Sequence, residues 1–180
     1  MSQLMLMTRI SSHPVHPATV HFPIAFFSLA WGLDALYGAT TKLQIPYLVR
    51  SMGSSLIDLG RASHYLQAAG IITAIPAASS GVQQLIKMYN NGGLYEADGQ
   101  TMRPKMKIAL SHAAMNDLIL LASVYSWYLR RDNVGLAPTG FSIMLSAVML
   151  PVLFYSANLG GTLTYNYGVG LNMAKRAKGQ

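Results

Sequence analysis

The sequence predicts an all-α protein: a four-helix transmembrane bundle with up-and-down topology and a short interfacial helix between its first two spans. Hydrophobic residues make up 52% of the 180 residues and charged residues only 11%, whereas soluble domains average about 25% charged. Four long windows contain no charged residue or only Asp117: residues 10–33, 62–86, 108–129 and 133–174. Since a spanning helix needs about 20 mostly apolar residues, each window can hold one span.

Local signals set the predicted limits of the spans, which are residues 19–37, 63–89, 104–130 and 138–160. Pro23 suits the first turn of a helix, because proline fixes φ and lacks an N–H donor. Pro76 lies inside the second span and is expected to kink it. Leucines at helical spacing after Pro46 indicate the short interfacial helix. We expect residues 1–180 to form a single integral membrane domain.

Composition and motifs exclude several classes of function. The chain has no cysteine, which removes disulfides, thiolate metal sites and thiol catalysis. Its net charge of +7 comes from basic residues at the ends of apolar windows, where they face lipid headgroups, so we predict no nucleic-acid partner. No Ser–His–Asp arrangement, phosphate-binding loop or paired carboxylates are evident, and the chain is not expected to be an enzyme on its own.

The basic residues also predict an orientation. With four spans, both termini share one side of the membrane with the loop between the second and third spans. Eight basic residues lie on that side and five on the other, which favours both termini on the cytoplasmic-type, inside face of a multi-pass protein. The predicted partners are the lipid bilayer and a redox protein or membrane complex.

Polar side chains gather at one depth of such a bundle. Helices one and three begin on the side where helices two and four end, so one group of polar residues lies near a single leaflet: His16, His21, Gln84, His112, Asn116 and Asn158. Polar groups inside a bilayer are costly and usually face the bundle interior. We therefore expect a shared polar pocket near the terminus side.

The sharpest functional hypothesis is a haem-binding or redox-related membrane subunit. Two histidines on two helices can ligate a haem iron from both faces, and we predict His21 and His112 as axial ligands of haem b. The predicted pocket lining is His16, Asn116, Asp117, Gln84 and Asn158. A metal or quinone site at the same two histidines is a further alternative. The plainer interpretation is that each histidine caps a helix end or bonds to a neighbour. The chain is then a structural or assembly protein without enzymatic activity.

Other ionisable residues leave further alternatives open. Asp117, inside the third span, either relays protons in a small transporter or bonds within the bundle. His13 and His16 are three residues apart, so they either share a metal ion or are separate surface histidines; no metal site is assigned. Asp34, near the end of the first span, is interpreted as an interface residue.

Several segments resemble a known family. HPATVHFPIAFF, GIITAIPAASSGV, SHAAMND and ANLGGTLTYNYGVG are similar to signature segments of small four-helix integral membrane proteins of unknown function, an uncharacterised DUF-type domain that opens H-P-x-x-V-H-F-P-I. The resemblance implies family positions at His16, His21, Asp34, His112, Asn116 and Gly160–Gly161. It also implies a link to electron transfer, since members are joined to redox domains. Gln84 and Asn166 depart from the pattern, which has an acid and a histidine there.

Overall fold

A computed structural model of the chain describes residues 15–170, which form four long helices joined by shorter segments. The α-helices in chain order are α1 (Val15–Thr19), α2 (His21–Thr41), α3 (Pro46–Met52), α4 (Leu56–Asn90), α5 (Pro104–Arg130) and α6 (Gly140–Tyr165). Short 3₁₀ turns cover Gly53–Ser55 and Val134–Leu136. Residues 15–170 contain no β-strand, so the prediction of an all-α fold with four long helices is confirmed.

Within residues 15–170, three segments are long and apolar enough to cross a membrane: His16–Thr41, Pro104–Arg130 and Val134–Tyr165. The longest helix, α4, has 35 residues and is not among these three segments; its buried residues include Ser63, His64 and Gln67. A fourth span at α4 therefore stays a prediction.

The helices differ from the predicted spans mainly at their ends. The long helix α4 begins at Leu56 rather than at residue 63, because the helical pattern that follows α3 continues into it. The last helix, α6, passes through Gly160 and Gly161 and ends at Tyr165. Pro76 and Pro151 lie inside α4 and α6 without ending either helix.

Each long helix packs against two others. Helix α2 contacts α4 and α6, and α5 contacts the same two helices, so α2 and α5 are diagonal in the bundle. Where bilayer lipid surrounds helices, close packing rather than expulsion of water favours their association, and small residues are common at the contacts. Gly70 of α4 illustrates this, since the ring of Phe27 from α2 occupies the space that a Cβ at residue 70 would need.

Candidate functional site

Two clusters of polar side chains lie inside the bundle, near its opposite ends. One contains His16 and His112, and the other contains Asp34 and Arg130. Along the helices, the main hydrophobic core lies between them, and its buried members are Phe27, Trp31, Ile119, Met149 and Leu153. Each cluster joins side chains from the first and second halves of the chain.

The two histidines of the first cluster are held in the same way. Nδ1 of His16 lies 2.9 Å from the carbonyl oxygen of Ala77 in α4. Nδ1 of His112 lies 2.8 Å from the carbonyl oxygen of Ser156 in α6. Because a carbonyl oxygen only accepts hydrogen bonds, each Nδ1 must carry the hydrogen. In a neutral imidazole this leaves the lone pair on Nε2, the atom that can bind a metal.

These two rings are also neighbours. Their centroids are 6.4 Å apart and their planes stand at 84°, so one ring meets the other edge-on. Both side chains are half-buried. The hydroxyls of Thr19 and Ser80 complete the surroundings of His16, with Ser80 Oγ 3.1 Å from its Nδ1. The histidine pair is thus a half-buried polar pair between the helices, near one end of the bundle.

Asn116 lies over His112, one helical turn further along α5. Its Nδ2 donates hydrogen bonds to the carbonyl of His112 at 2.7 Å and to Oγ of Ser156 at 2.9 Å. The same atom is 3.3 Å from Nδ1 and 3.2 Å from Nε2 of the ring. These nearly equal distances place the amide over the ring face. Since both amide hydrogens are already donated, neither is directed along the Nε2 lone pair.

A glycine lies against each imidazole. A Cβ added to Gly81 would stand 2.9 Å from Cε1 of His16, and one added to Gly160 would stand 3.0 Å from Cε1 of His112. Contacts that short are tighter than side chains normally make. A larger residue at either position would therefore push the imidazole away from its carbonyl partner.

The second cluster is a buried ion pair. Nη1 of Arg130 lies 3.0 Å from Oδ1 of Asp34, and both side chains are fully buried. Ser63 and Ser146 also donate to the Asp34 carboxylate. Nη2 of Arg130 donates to the carbonyl oxygens of Gly60 and Leu136, each at 3.0 Å. These partners satisfy both charges, as burial of an ion pair requires.

Comparison with known proteins identifies the family. A family model described as "Predicted membrane protein (DUF2231)" matches residues 12–173. The chain belongs to the DUF2231 family. It is therefore a membrane protein, as the sequence predicted, of a family whose description gives no function. No curated protein and no solved structure matches it.

Some of the predicted site residues of this DUF2231 protein lie inside the bundle, and others lie on its outer surface. His112 and Asn116 lie together with His16, and Gln84 is half-buried at the same end, close to Pro17 and Gly170. The side chains of His21, Asp117 and Asn158 are instead exposed on the outside of the bundle. The neighbour of His112 is therefore His16, where we had expected His21. His13 lies outside the described residues.

The helical conformation of α1 explains why His16 and not His21 lies beside His112. Although prolines lie on both sides of His16, residues 15–19 are helical and join α2 almost directly. Along a helix, residues five positions apart are separated by about 140° around the axis. His16 faces the bundle interior, so His21 faces outward.

Sequence reasoning missed the buried ion pair. It interpreted Asp34 as an interface residue and counted Arg130, at the end of the third predicted span, among the five basic residues on the side opposite the termini, whereas both side chains are buried. One signal was present, since each of the two residues follows a Trp-x-Leu sequence at the end of an apolar window. His64 was also unassigned; it is buried and stacks on Trp127 with ring centroids 5.2 Å apart.

Two cavities lie away from the histidine pair. The one at the α4–α5 loop has a volume of about 310 Å³ and is lined in part by Met88, Glu96, Arg103 and Tyr167. The other is an open groove of about 830 Å³ beside α3. Within residues 15–170, no group of three or more His, Asp or Glu side chains could hold a metal ion.

Proposed function

We propose that this DUF2231 protein is an up-and-down, four-helix integral membrane protein that binds haem b between His16 and His112 and transfers electrons. The proposal rests on one observation: the imidazoles of His16 and His112 make the same hydrogen bond. Each donates Nδ1–H to a helix carbonyl, at 2.9 and 2.8 Å, and keeps Nε2 for a ligand. Histidines that bind metals usually have their second nitrogen fixed in this way.

The two imidazoles are close neighbours, with ring centroids 6.4 Å apart. His16 lies on α1, which contacts α4, and His112 lies on α5, which contacts α4 and α6. His16 and His112 would hold the haem iron through Nε2.

The number of protein ligands also favours haem over a free metal ion. A structural divalent metal site usually takes four protein ligands, and catalytic zinc takes three. Residues 15–170 offer no group of three or more ionisable ligands. Haem needs only two axial ligands from the protein, because the porphyrin supplies the other four. When bound, it would supply one-electron redox chemistry.

One hydrogen bond between helices supports the topology in this proposal. Asp34, near the end of α2, meets Ser63, near the start of α4, which supports antiparallel neighbours. The excess of basic residues on the terminus side supports both termini inside. We propose a redox protein or membrane complex as the electron partner of this site.

An absorbance spectrum of the purified protein, expressed with ample haem, tests the proposal. The wild-type chain is expected to show a Soret band, and His16→Ala and His112→Ala are each expected to lose or alter it. His21→Ala is the matched control, because His21 is exposed on the neighbouring turn and should leave the spectrum unchanged. A wild-type protein that folds but shows no Soret band would contradict the proposal.

A second candidate is a structural or assembly role, in which both polar clusters only fix the positions of the helices. The observation that favours it is that every hydrogen-bonding nitrogen of Arg130 already has a partner within the chain. If the variant with both His16 and His112 replaced unfolds, and the wild type binds no haem, this role is favoured.

A transporter or proton pathway through Asp117 has less support. That carboxylate lies on the exposed face of α5. Along the helices, the apolar core that contains Phe27 and Ile119 lies between the two polar clusters.

A further inference from the structure

The first and third long helices repeat one pattern. Residues 16–34 and 112–130 align without gaps, and the aligned residues are identical at His16/His112, Ala18/Ala114, Trp31/Trp127 and Leu33/Leu129. Burial repeats as well. The two segments have the same burial class at every position except Ser28/Val124 and Trp31/Trp127. The two segments therefore share their pattern of buried and exposed positions as well as their identical residues.

The second and fourth long helices repeat in the same order. Residues 63–81 align with 142–160, with identities at Ser63/Ser142, Leu66/Leu145, Ala68/Ala147, Ala78/Ala157 and Gly81/Gly160. The carbonyls that accept from the two histidines, those of Ala77 and Ser156, are also aligned. Nδ1 of each histidine thus bonds to the carbonyl at the same aligned position of the next long helix, which is α4 for His16 and α6 for His112.

Aligned residues meet each other across the bundle at both ends. His16 lies beside His112, and Asp34 pairs with Arg130. A residue can contact its own equivalent only near the axis that relates the two halves. The bond from Ser146 to Asp34 has its counterpart between the equivalent residues Gln67 and Arg130.

We infer that the chain is a duplicated helical hairpin, α1–α2–α4 followed by α5–α6, with a pseudo-two-fold axis that passes between both equivalent pairs. The axis makes Gly81 and Gly160 equivalent positioning residues. Each lies against one imidazole and lets its Nδ1 reach the carbonyl one turn earlier. One consequence rests on the proposed haem site: His16 and His112, which would hold the haem, become near-equivalent ligands.

The two halves also differ in residue size and charge at some equivalent positions. Phe27 and Gly70 are a large and a small residue in contact, whereas their equivalents, Ser123 and Met149, are small and large. Asp34 and Arg130 are opposite in charge at one equivalent position. A hairpin that met a second copy of itself would bring two like charges together, at a cost in free energy. The ion pair therefore favours pairing of the first half with the second.

Spin-label distances test the duplication without any ligand. The chain contains no cysteine, so cysteine pairs can be introduced at exposed, equivalent positions without a background signal. The axis predicts that the label distance for Ala25→Cys with Met144→Cys equals that for Leu121→Cys with Tyr65→Cys. Equal distances in detergent or bilayer support the inference, and clearly different ones overturn it.

Glycine substitutions test the positioning residues, with nitrogen NMR of the imidazoles as a readout that needs no haem. Gly81→Ala is expected to shift only the His16 signals, and Gly160→Ala only those of His112. Gly161→Ala is the matched control, because a Cβ there meets nothing within 4 Å. If haem binds, the first two variants should weaken it by about tenfold, as changes around metal ligands do.

The outcomes separate the two proposals. If both glycine variants shift their own histidine but the wild type binds no haem, the duplication stands and the haem proposal fails. If Gly81→Ala leaves His16 unmoved, or Gly161→Ala acts like Gly160→Ala, the assignment of the positioning residues is overturned.

Discussion

Asp34 and Arg130 form an ion pair that has no exposed side-chain surface and joins the four long helices at one end of the bundle. Oδ1 of Asp34 in α2 lies 3.0 Å from Nη1 of Arg130 in α5. Gly60 and Ser63 connect the pair to α4, and Ser146 connects it to α6. Because the pair is fully buried, each charge depends on the other for its stability.

Removal of one partner of this pair should destabilise the protein more than removal of both. Asp34→Leu or Arg130→Met leaves a buried charge without its counterion, at an expected cost of about 3–5 kcal/mol in the free energy of unfolding. The double variant should recover part of that loss, because apolar side chains of similar size fill the space. Thermal unfolding in detergent measures the stability of the two single variants and of the double variant.

Arg131→Met provides the control for the ion pair. Arg131 is an exposed neighbour in an ion pair with the exposed Asp132, and such pairs contribute about 0–1 kcal/mol. If either single variant unfolds no more readily than Arg131→Met, the ion pair does not join the helices as described.

The close approach of α2 and α4 gives a second prediction. Gly70→Ala places a methyl group where the Phe27 ring lies, and should lower the free energy of unfolding by about 1–3 kcal/mol. Phe27→Leu in the same chain should restore part of the loss by freeing that space. Gly32→Ala, where a Cβ meets nothing within 4 Å, should be neutral or slightly stabilising. Equal effects at Gly70 and Gly32 would argue against the packing.

The exposed position of Asp117 gives a third prediction. Asp117→Asn should leave both the fold and any haem spectrum unchanged, since its side chain points away from the histidine pair. Asn116→Leu, one residue earlier, should alter the His112 environment because it removes the amide over the ring. Proton flux into vesicles that depended on Asp117 would instead favour the pathway.

The loop between α4 and α5 gives a prediction about pH. The hydroxyl and N–H of Thr101 and the N–H of Gln100 donate to the Asp98 carboxylate, which lowers the pKa of Asp98 below its usual range. A carboxyl with a lowered pKa stabilises the folded loop at neutral pH, and this contribution is lost as the pH falls through the folded-state pKa. Titration of the carboxyl carbon by NMR measures it.

Variants of Thr101 check the cause of that shift. Thr101→Val removes the largest contribution, the side-chain hydrogen bond, so the pKa of Asp98 should rise toward its ordinary value. Thr101→Ser keeps the hydroxyl and should leave the titration almost unchanged. If both variants titrate alike, the hydroxyl is not the cause.

The sequence predicted the helices because their signal is local. Long windows without charge, and prolines at their starts, indicate apolar helices whatever the neighbours are. It also predicted that His112 and Asn116 share a polar end of the bundle, since helix direction alone sets their depth. It could not predict which histidine faces His112, because that depends on whether the segment around His16 is helical or extended.

The ion pair depended on information that a single helix does not contain. Asp34 and Arg130 are 96 residues apart, and each lies where a charge at a membrane interface is ordinary. Only the packing of all four helices shows that both side chains point inward. The repeated Trp-x-Leu before each of them was visible in the sequence, but its meaning required the aligned burial of the two helices.

Electron paramagnetic resonance of the haem-loaded, oxidised protein distinguishes iron bound by two imidazoles from iron bound by one. Two imidazole ligands on one ferric iron give a low-spin signal, which we expect in the wild type and in His21→Ala. We expect high-spin iron, or no bound haem, in His16→Ala and in His112→Ala. A wild-type protein without haem, or a low-spin signal that survives loss of His16, would rule out His16 and His112 as the haem ligands.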